Sequence, residues 1–121
     1  MVGLSAESKT IVAPANTART MGSGDLPVFA TPAMVALMEH AAMQAVASAL
    51  TEGVTTVGAE MNVTHVRPSG VGTEITATAV LTAVEGRKLI FRVEAHDAAG
   101  AIGTGVHVRY AVDKARFLAK I

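Results

Sequence analysis

Hydrophobic and polar positions along this chain fall into two regimes, one helical and one alternating. Between residues 31 and 50 apolar side chains crowd together, and Met34, Val35, Leu37, Met38, Ala41, Ala42, Met43, Ala45, Val46 and Ala49 occupy every face of a helical wheel. Ala, Met, Leu and Gln are good helix formers. Thr31 offers a capping hydroxyl, and Pro32 suits a first helical position, where a missing N–H costs nothing. Gly53 supplies a stop after Thr51 and Glu52. A helix that is apolar on all sides has to be covered by other protein. From Thr55 onward the period changes to two. Strands are predicted over 57–66, 73–84, 88–96 and 102–112, parted by turns at Arg67-Pro68-Ser69-Gly70, Glu85-Gly86 and Asp97-Ala98-Ala99-Gly100. In the third of these, Leu89, Phe91, Val93 and Ala95 alternate with Lys88, Ile90, Arg92 and Glu94. Upstream, Thr10-Ile11-Val12-Ala13, ended by Pro14, reads as a short edge strand. Residues 15–30 read as a loop, and 113–121 as a terminal helix or extension.

This order predicts an α+β fold: a short strand, one long central helix, then an antiparallel sheet. The four strands form one meander unless a long crossover reorders them. A single helix apolar all round calls for a strongly curved sheet wrapped about it. The back or edge of that sheet then calls for a partner subunit.

Composition narrows the function. With 121 residues, half of them hydrophobic, the chain reads as a single domain over 1–121 able to bury its own core. There is no cysteine, so disulfides and thiolate metal sites are excluded. Ten basic and ten acidic residues cancel, and one Tyr, three Phe and no Trp offer no stacking platform. Nucleic acid is therefore not an expected partner. Nor is a membrane: the window from 33 to 50 is nearly long enough to span one, but it carries Glu39, His40 and Gln44 near its centre. Residues 1–10 lack a basic stretch followed by an apolar one, so cytoplasmic localisation is expected.

Three residues bear candidate chemistry. Glu39 interrupts the apolar helix, where a carboxylate is excluded unless it is paired, used, or turned to an open, solvated side. His65 lies on a predicted strand between Thr64 and Val66, a setting in which most histidines are structural. Capping fully accounts for Thr31. Spacing alone does not make a triad of them.

A resemblance joins them. Ala30-Thr31-Pro32-Ala33-Met34-Val35-Ala36-Leu37-Met38-Glu39 resembles the start of the central helix in the fluoroacetyl-CoA thioesterase family, of hotdog fold. Val63-Thr64-His65, Val84-Glu85-Gly86-Arg87-Lys88-Leu89, Ala95-His96-Asp97 and Ile102-Gly103-Thr104-Gly105-Val106-His107 follow in the same order and spacing. Carried over position by position, the resemblance implies catalytic roles for Thr31, Glu39 and His65. It also implies substrate contacts by Gly58, at the thioester carbonyl, and by Arg109. It further implies a homodimer whose active sites are built from both protomers, with a tetramer of two dimers compatible with it.

These residue types suit thioester hydrolysis without a metal or cofactor, because the carbonyl is electrophilic and the thiolate leaves readily. Glu39 attacks, or serves as base on water; His65 orients or activates the nucleophile and can protonate the departing sulfur; Gly58 N–H can stabilise the oxyanion; and Thr31 positions water or substrate by its hydroxyl. Thr31 and Glu39 stand about 12 Å apart along a helix rising ~1.5 Å per residue, so both do not touch one atom, and the nucleophile stays open among Glu39, Thr31 and water. The family's enzyme carries a phenylalanine-rich lid before its central helix. Here Met21-Gly22-Ser23-Gly24-Asp25-Leu26 has no aromatic residue, so the expected substrate is a short- or medium-chain acyl-CoA in general. Two alternatives stand beside this: a non-catalytic acyl-CoA-binding protein on the same fold, and a hydratase, which the absence of a helical aspartate disfavours. Arg67, Arg87 and Lys88 are weaker candidates for CoA phosphates. Solvation explains them as well.

Overall fold

Alternation marks strands but does not say which of them are neighbours, and here the chain departs from a simple meander. A computed structural model describes every residue from Met1 to Ile121. In chain order the elements are β1 (Ser5–Ile11), α1 (Ala18–Met21), α2 (Thr31–Val46), β2 (Val54–His65), β3 (Glu74–Glu85), β4 (Lys88–Asp97), β5 (Gly100–Asp113) and α3 (Lys114–Ala119). They make one five-stranded antiparallel sheet in the order β1-β3-β4-β5-β2. Only β3, β4 and β5 form the expected meander. After β2 the chain crosses to the far side of β4 and β5, and β2 pairs with the last strand instead of with β3. The crossover holds Pro68, and it is tied to the segment before α2 by Phe29 N–H donating to the Ser69 carbonyl at 2.8 Å. That tie anchors the start of the helix.

Two N-terminal expectations are corrected. The edge strand is Ser5–Ile11, not residues 10–13, and its polar sequence hid it because every second side chain faces water. Residues 15–30 are not all loop: they contain the short helix α1, whose N-cap Thr17 accepts from Thr20 N–H and which ends at Gly22 with φ +80°. The four later strands and the terminal helix lie within three residues of expectation, while the long helix ends four residues before the expected Leu50. The turn between β3 and β4 is a two-residue connection, Gly86-Arg87, with Gly86 at φ +64°. α2 ends at Val46, and a 3-10 turn carries the chain on through Ala47–Ala49.

The core lies where α2 crosses the concave face of the sheet. Ile75, Ala77, Ala79 and Leu81 of β3 and Leu89, Phe91, Val93 and Ala95 of β4 point inward, all at most 2 % exposed. From the helix, Met34, Met38, Ala41, Ala42, Ala45 and Val46 meet them. Alanines on the facing surfaces let helix and sheet approach, and the methionines fill what remains. The expectation that α2 is covered on all sides fails within one chain. Val35, Leu37 and Met43 are only half-buried and Ala36 is exposed, because the curled sheet reaches round one side of the helix only.

A bulge in β2 decides which of its residues reach that concave face. The pairing runs Gly58 with Arg109, then Glu60 with Val108, leaving Ala59 without a partner. One extra residue reverses the alternation beyond it. Thr56 and Gly58 before the bulge therefore face the helix together with Met61, Val63 and His65 after it. Without it, positions 58 and 65 would lie on opposite faces.

Candidate active site

Polar side chains gather on the concave face at two places, one at each end of the first two turns of α2. The first is built on Thr31. The helix begins there, but its N-cap is Ala30 and no side chain caps it, contrary to the capping expected of Thr31. The Thr31 hydroxyl is instead 2.8 Å from Nδ1 of His65, at the end of β2. Two assignments of the shared proton fit this geometry. If Nδ1 accepts it, the threonine is the activated group and Nε2–H is a free donor; if Nδ1–H donates, Nε2 is a free base. In both, Nε2 is the unengaged atom: it is buried and has no partner. Burial lowers the His65 pKa from the ordinary 6.5, with the backbone of Arg67 partly opposing. The imidazole is thus neutral at physiological pH. A cavity of about 270 Å³ opens beside this pair, bounded by Ala18, Ser23, Val28 and Arg67 among others. Phe29, the one aromatic near the segment, is buried beneath it at 1 % exposure.

The second cluster is built on Glu39, two turns along. Its Oε2 lies 3.5 Å from Nη1 of Arg109 and 4.0 Å from Nε2 of His107. The carboxylate is 41 % exposed, so it is held from beneath and open above. Gly58 lies under it: a Cβ there would push the carboxylate oxygen aside and would just touch Arg109 and His107. With glycine at 58 the carboxylate keeps its place against Arg109. Arg109 is itself fixed. Its Nε donates to Thr56 Oγ1 at 2.9 Å, its Nη2 to the Thr56 carbonyl at 3.0 Å, and its Nη1 reaches His107 Nε2 at 3.1 Å. Burial lowers the Arg109 pKa, an effect that Glu39 opposes by charge and hydrogen bonding. It remains a cation in the physiological range.

Of the five residues singled out from the sequence, Gly58, Glu39 and Arg109 come together in one cluster, and Thr31 and His65 in another. Inside one chain Glu39 pairs with Arg109, with the His107 ring nitrogen beside it at 4.0 Å, and it does not meet His65. His107 and Thr56 were missed. Their signal was available in part: 107 and 109 alternate on one strand, as do 56 and 58, so each pair shares a face. Arg67 is engaged within the chain, donating to Asp97 Oδ1 at 2.6 Å and to the Gly100 carbonyl at 2.8 Å. That bond holds the Asp97 carboxyl below its usual range. His40 turns away from Glu39 and meets Ser8 of β1 at 3.0 Å.

Comparison with known proteins agrees with this architecture. Residues 12–115 match the model of a family described as fluoroacetyl-CoA-specific thioesterase. A fluoroacetyl-CoA thioesterase of Streptantibioticus cattleyicolor is 44 % identical over 94 residues, covering 78 % of this chain and 68 % of that protein. A solved structure of a fluoroacetyl-CoA thioesterase superposes with a TM-score of 0.91 at 38 % identity, over 99 % of this chain and 93 % of the other. A thioesterase superfamily member from Thermus thermophilus superposes with a TM-score of 0.91 at 30 % identity, over 99 % and 89 %. No helix is long and apolar enough to cross a membrane.

Proposed function

Since the chain belongs to the fluoroacetyl-CoA-specific thioesterase family, as a hotdog-fold acyl-CoA thioesterase, we propose that it hydrolyses short- or medium-chain acyl-CoA thioesters with Glu39, His65 and Thr31, each site drawing on two protomers. The observation that carries this reading is the Glu39 carboxylate itself. It is held over Gly58 by a buried arginine, with one side open to a substrate. A merely solvated glutamate needs neither the buried cation nor the glycine.

The thioester carbonyl sits beside Gly58, next to the carboxylate that occupies the space over its Cα, and a backbone N–H donor to its oxygen is worth roughly 3 kcal/mol in the transition state. Glu39 attacks the carbonyl carbon, expelling the CoA thiolate and forming an acyl anhydride that water then hydrolyses, or it takes a proton from the attacking water as the C–S bond breaks. His65, with Nδ1 accepting from Thr31, passes its Nε2 proton to the departing sulfur and takes one back from solvent, so the ring ends neutral as it began. Arg109 keeps the carboxylate aimed at the carbonyl. The segment before α2 brings no exposed aromatic lid to the cavity beside His65, which favours general acyl selectivity over exclusive use of a fluorinated substrate.

The two half-sites motivate the dimer. β2 is an edge strand of twelve residues with one side of its backbone unpaired. Edges of that length are covered in stable proteins. Antiparallel pairing of two β2 edges about Met61 and Asn62 sets position 58 of one protomer against position 65 of the other. Glu39 then faces the partner's His65. The half-exposed Val35 and Met43 on α2 supply apolar surface to the same contact.

The test is release of free thiol from a panel of acyl-CoAs of differing chain length. Glu39→Gln and His65→Ala are each expected to lose at least ~100-fold in kcat. Wild-type turnover in both would overturn the assignment.

A further inference from the structure

The proposed chemistry leaves one buried titratable side chain without a task. His107 is 1 % exposed and lies on the concave face of β5, where its neighbours on β4 are apolar. Its ring stands 6.2 Å from that of Phe91, tilted by 31°. An apolar residue would fill that space at lower cost, since a buried imidazole is tolerated only when its nitrogens are paired. Both are. Nδ1 lies 2.7 Å from the Glu60 carbonyl, which can only accept, so Nδ1 carries the proton. Nε2 lies 3.1 Å from Arg109 Nη1, which can only donate, so Nε2 presents its lone pair. Packing does not require this pattern of bonds.

We infer that His107 is a positioning residue for the thioesterase reaction, aiming the Arg109 guanidinium at Glu39 with one ring nitrogen and holding the β2 bulge with the other. The inference rests on the reading of Glu39 as the reacting group. Arg109 Nη1 stands between two acceptors, His107 Nε2 and Glu39 Oε2, and it is the only guanidinium nitrogen that meets the carboxylate. Thr56 fixes the other two nitrogens. With Nε2 removed, the rigid guanidinium is held through Thr56 alone, its Nη1 corner can tip toward or away from the sheet, and the carboxylate above it loses a fixed seat. The second bond acts on the strand. Glu60 is the first paired residue after the bulge, and the His107 ring ties its carbonyl to β5. That tie holds the reversal of alternation which puts Gly58 and His65 on one face.

Two conservative substitutions separate the roles. Asparagine places its amide where Nδ1 sits, so His107→Asn keeps a donor for Glu60 and leaves Arg109 without its acceptor. Glutamine reaches the place of Nε2, so His107→Gln keeps the acceptor for Arg109. His107→Leu removes both. The assay is steady-state thiol release from an acyl-CoA, with melting temperature measured alongside. His107→Leu is expected to lose about 10- to 100-fold in kcat, the cost of a small misplacement of a reacting group. KM should change little, because His107 touches no substrate. His107→Gln should recover more of kcat than His107→Asn even where its melting temperature is no higher. A folded His107→Leu enzyme with wild-type kcat would overturn the inference. So would Asn and Gln variants whose losses simply follow their melting temperatures.

Glu39→Gln in both backgrounds separates this from the parent reading. If Glu39 is not the reacting group, Glu39→Gln alone turns over as wild type, and the positioning role falls with it. If Glu39 reacts and His107 positions it, adding His107→Leu to Glu39→Gln costs nothing further. A full additional loss in that double variant would show that His107 acts elsewhere.

Discussion

At Thr31 the helix and the candidate site compete for one hydroxyl. The sequence offers a capping residue before a proline, and capping alone would explain it. In the structure the helix starts without a side-chain cap, forgoing about 1 kcal/mol, and the hydroxyl goes to His65. If Thr31 serves to hold the imidazole, Thr31→Ser retains most of kcat, whereas Thr31→Val, matched in shape, loses about 10- to 100-fold. Thiol-release kinetics check the pair, and equal rates in both variants would remove Thr31 from the mechanism. The histidines make a second prediction, in pH. Burial lowers the pKa of both His65 and His107 from 6.5. The unfolded chain therefore takes up these protons first, and stability rises with pH wherever that holds. Conformational stability should be at its plateau above pH 6.5 and fall as pH drops through the folded-state values. His65→Gln should flatten that fall in thermal melts from pH 7.5 down to 5. An unchanged slope would mean that His65 is as solvated folded as unfolded. Thr31, Glu39 and His65 were legible from the sequence as residue types in a family's order, while the partners of Glu39 were not. A buried guanidinium network depends on which strands are neighbours, and β2 beside β5 is a long-range pairing that local alternation does not encode.

Among the elements, the long helix and the three hairpin strands could be read directly. Their periods are clean, and the turn at Gly86 has a residue suited to it. β1 was misplaced because a mostly polar edge strand leaves a weak apolar trace. The bulge in β2 left no trace at all. Ala59 is an ordinary residue in an alternating run, and its being unpaired follows from how β2 meets β5. That single residue decides whether Thr56 and Gly58 share a face with His65. Deleting Ala59 is thus expected to restore plain alternation on one side of position 59 and to turn either Gly58 or His65 outward. Turnover should fall at least ~100-fold, comparable to losing a general acid, while the sheet persists by circular dichroism. A folded deletion variant with wild-type kcat would show that the bulge does not set the site.

For the whole molecule, one chain carries both polar clusters on one concave surface but does not bring them into contact. Glu39 finishes on Arg109 and His65 on Thr31. The helix that reads as apolar on every face is covered on one, and the curved sheet leaves β2 at an open edge. Each is what a second copy pairing along β2 would complete. The sequence carried this in the apolar circumference of the helix, a feature a single protomer does not explain. The most direct measurement mixes two inactive variants, Glu39→Gln and His65→Ala, after unfolding and refolding them together. If each site takes Glu39 from one protomer and His65 from its partner, half of the dimers are mixed and each mixed dimer holds one intact site. Activity should return to about a quarter of the wild-type rate. A mixture that refolds to dimers but stays as inactive as its parents would contradict the shared site.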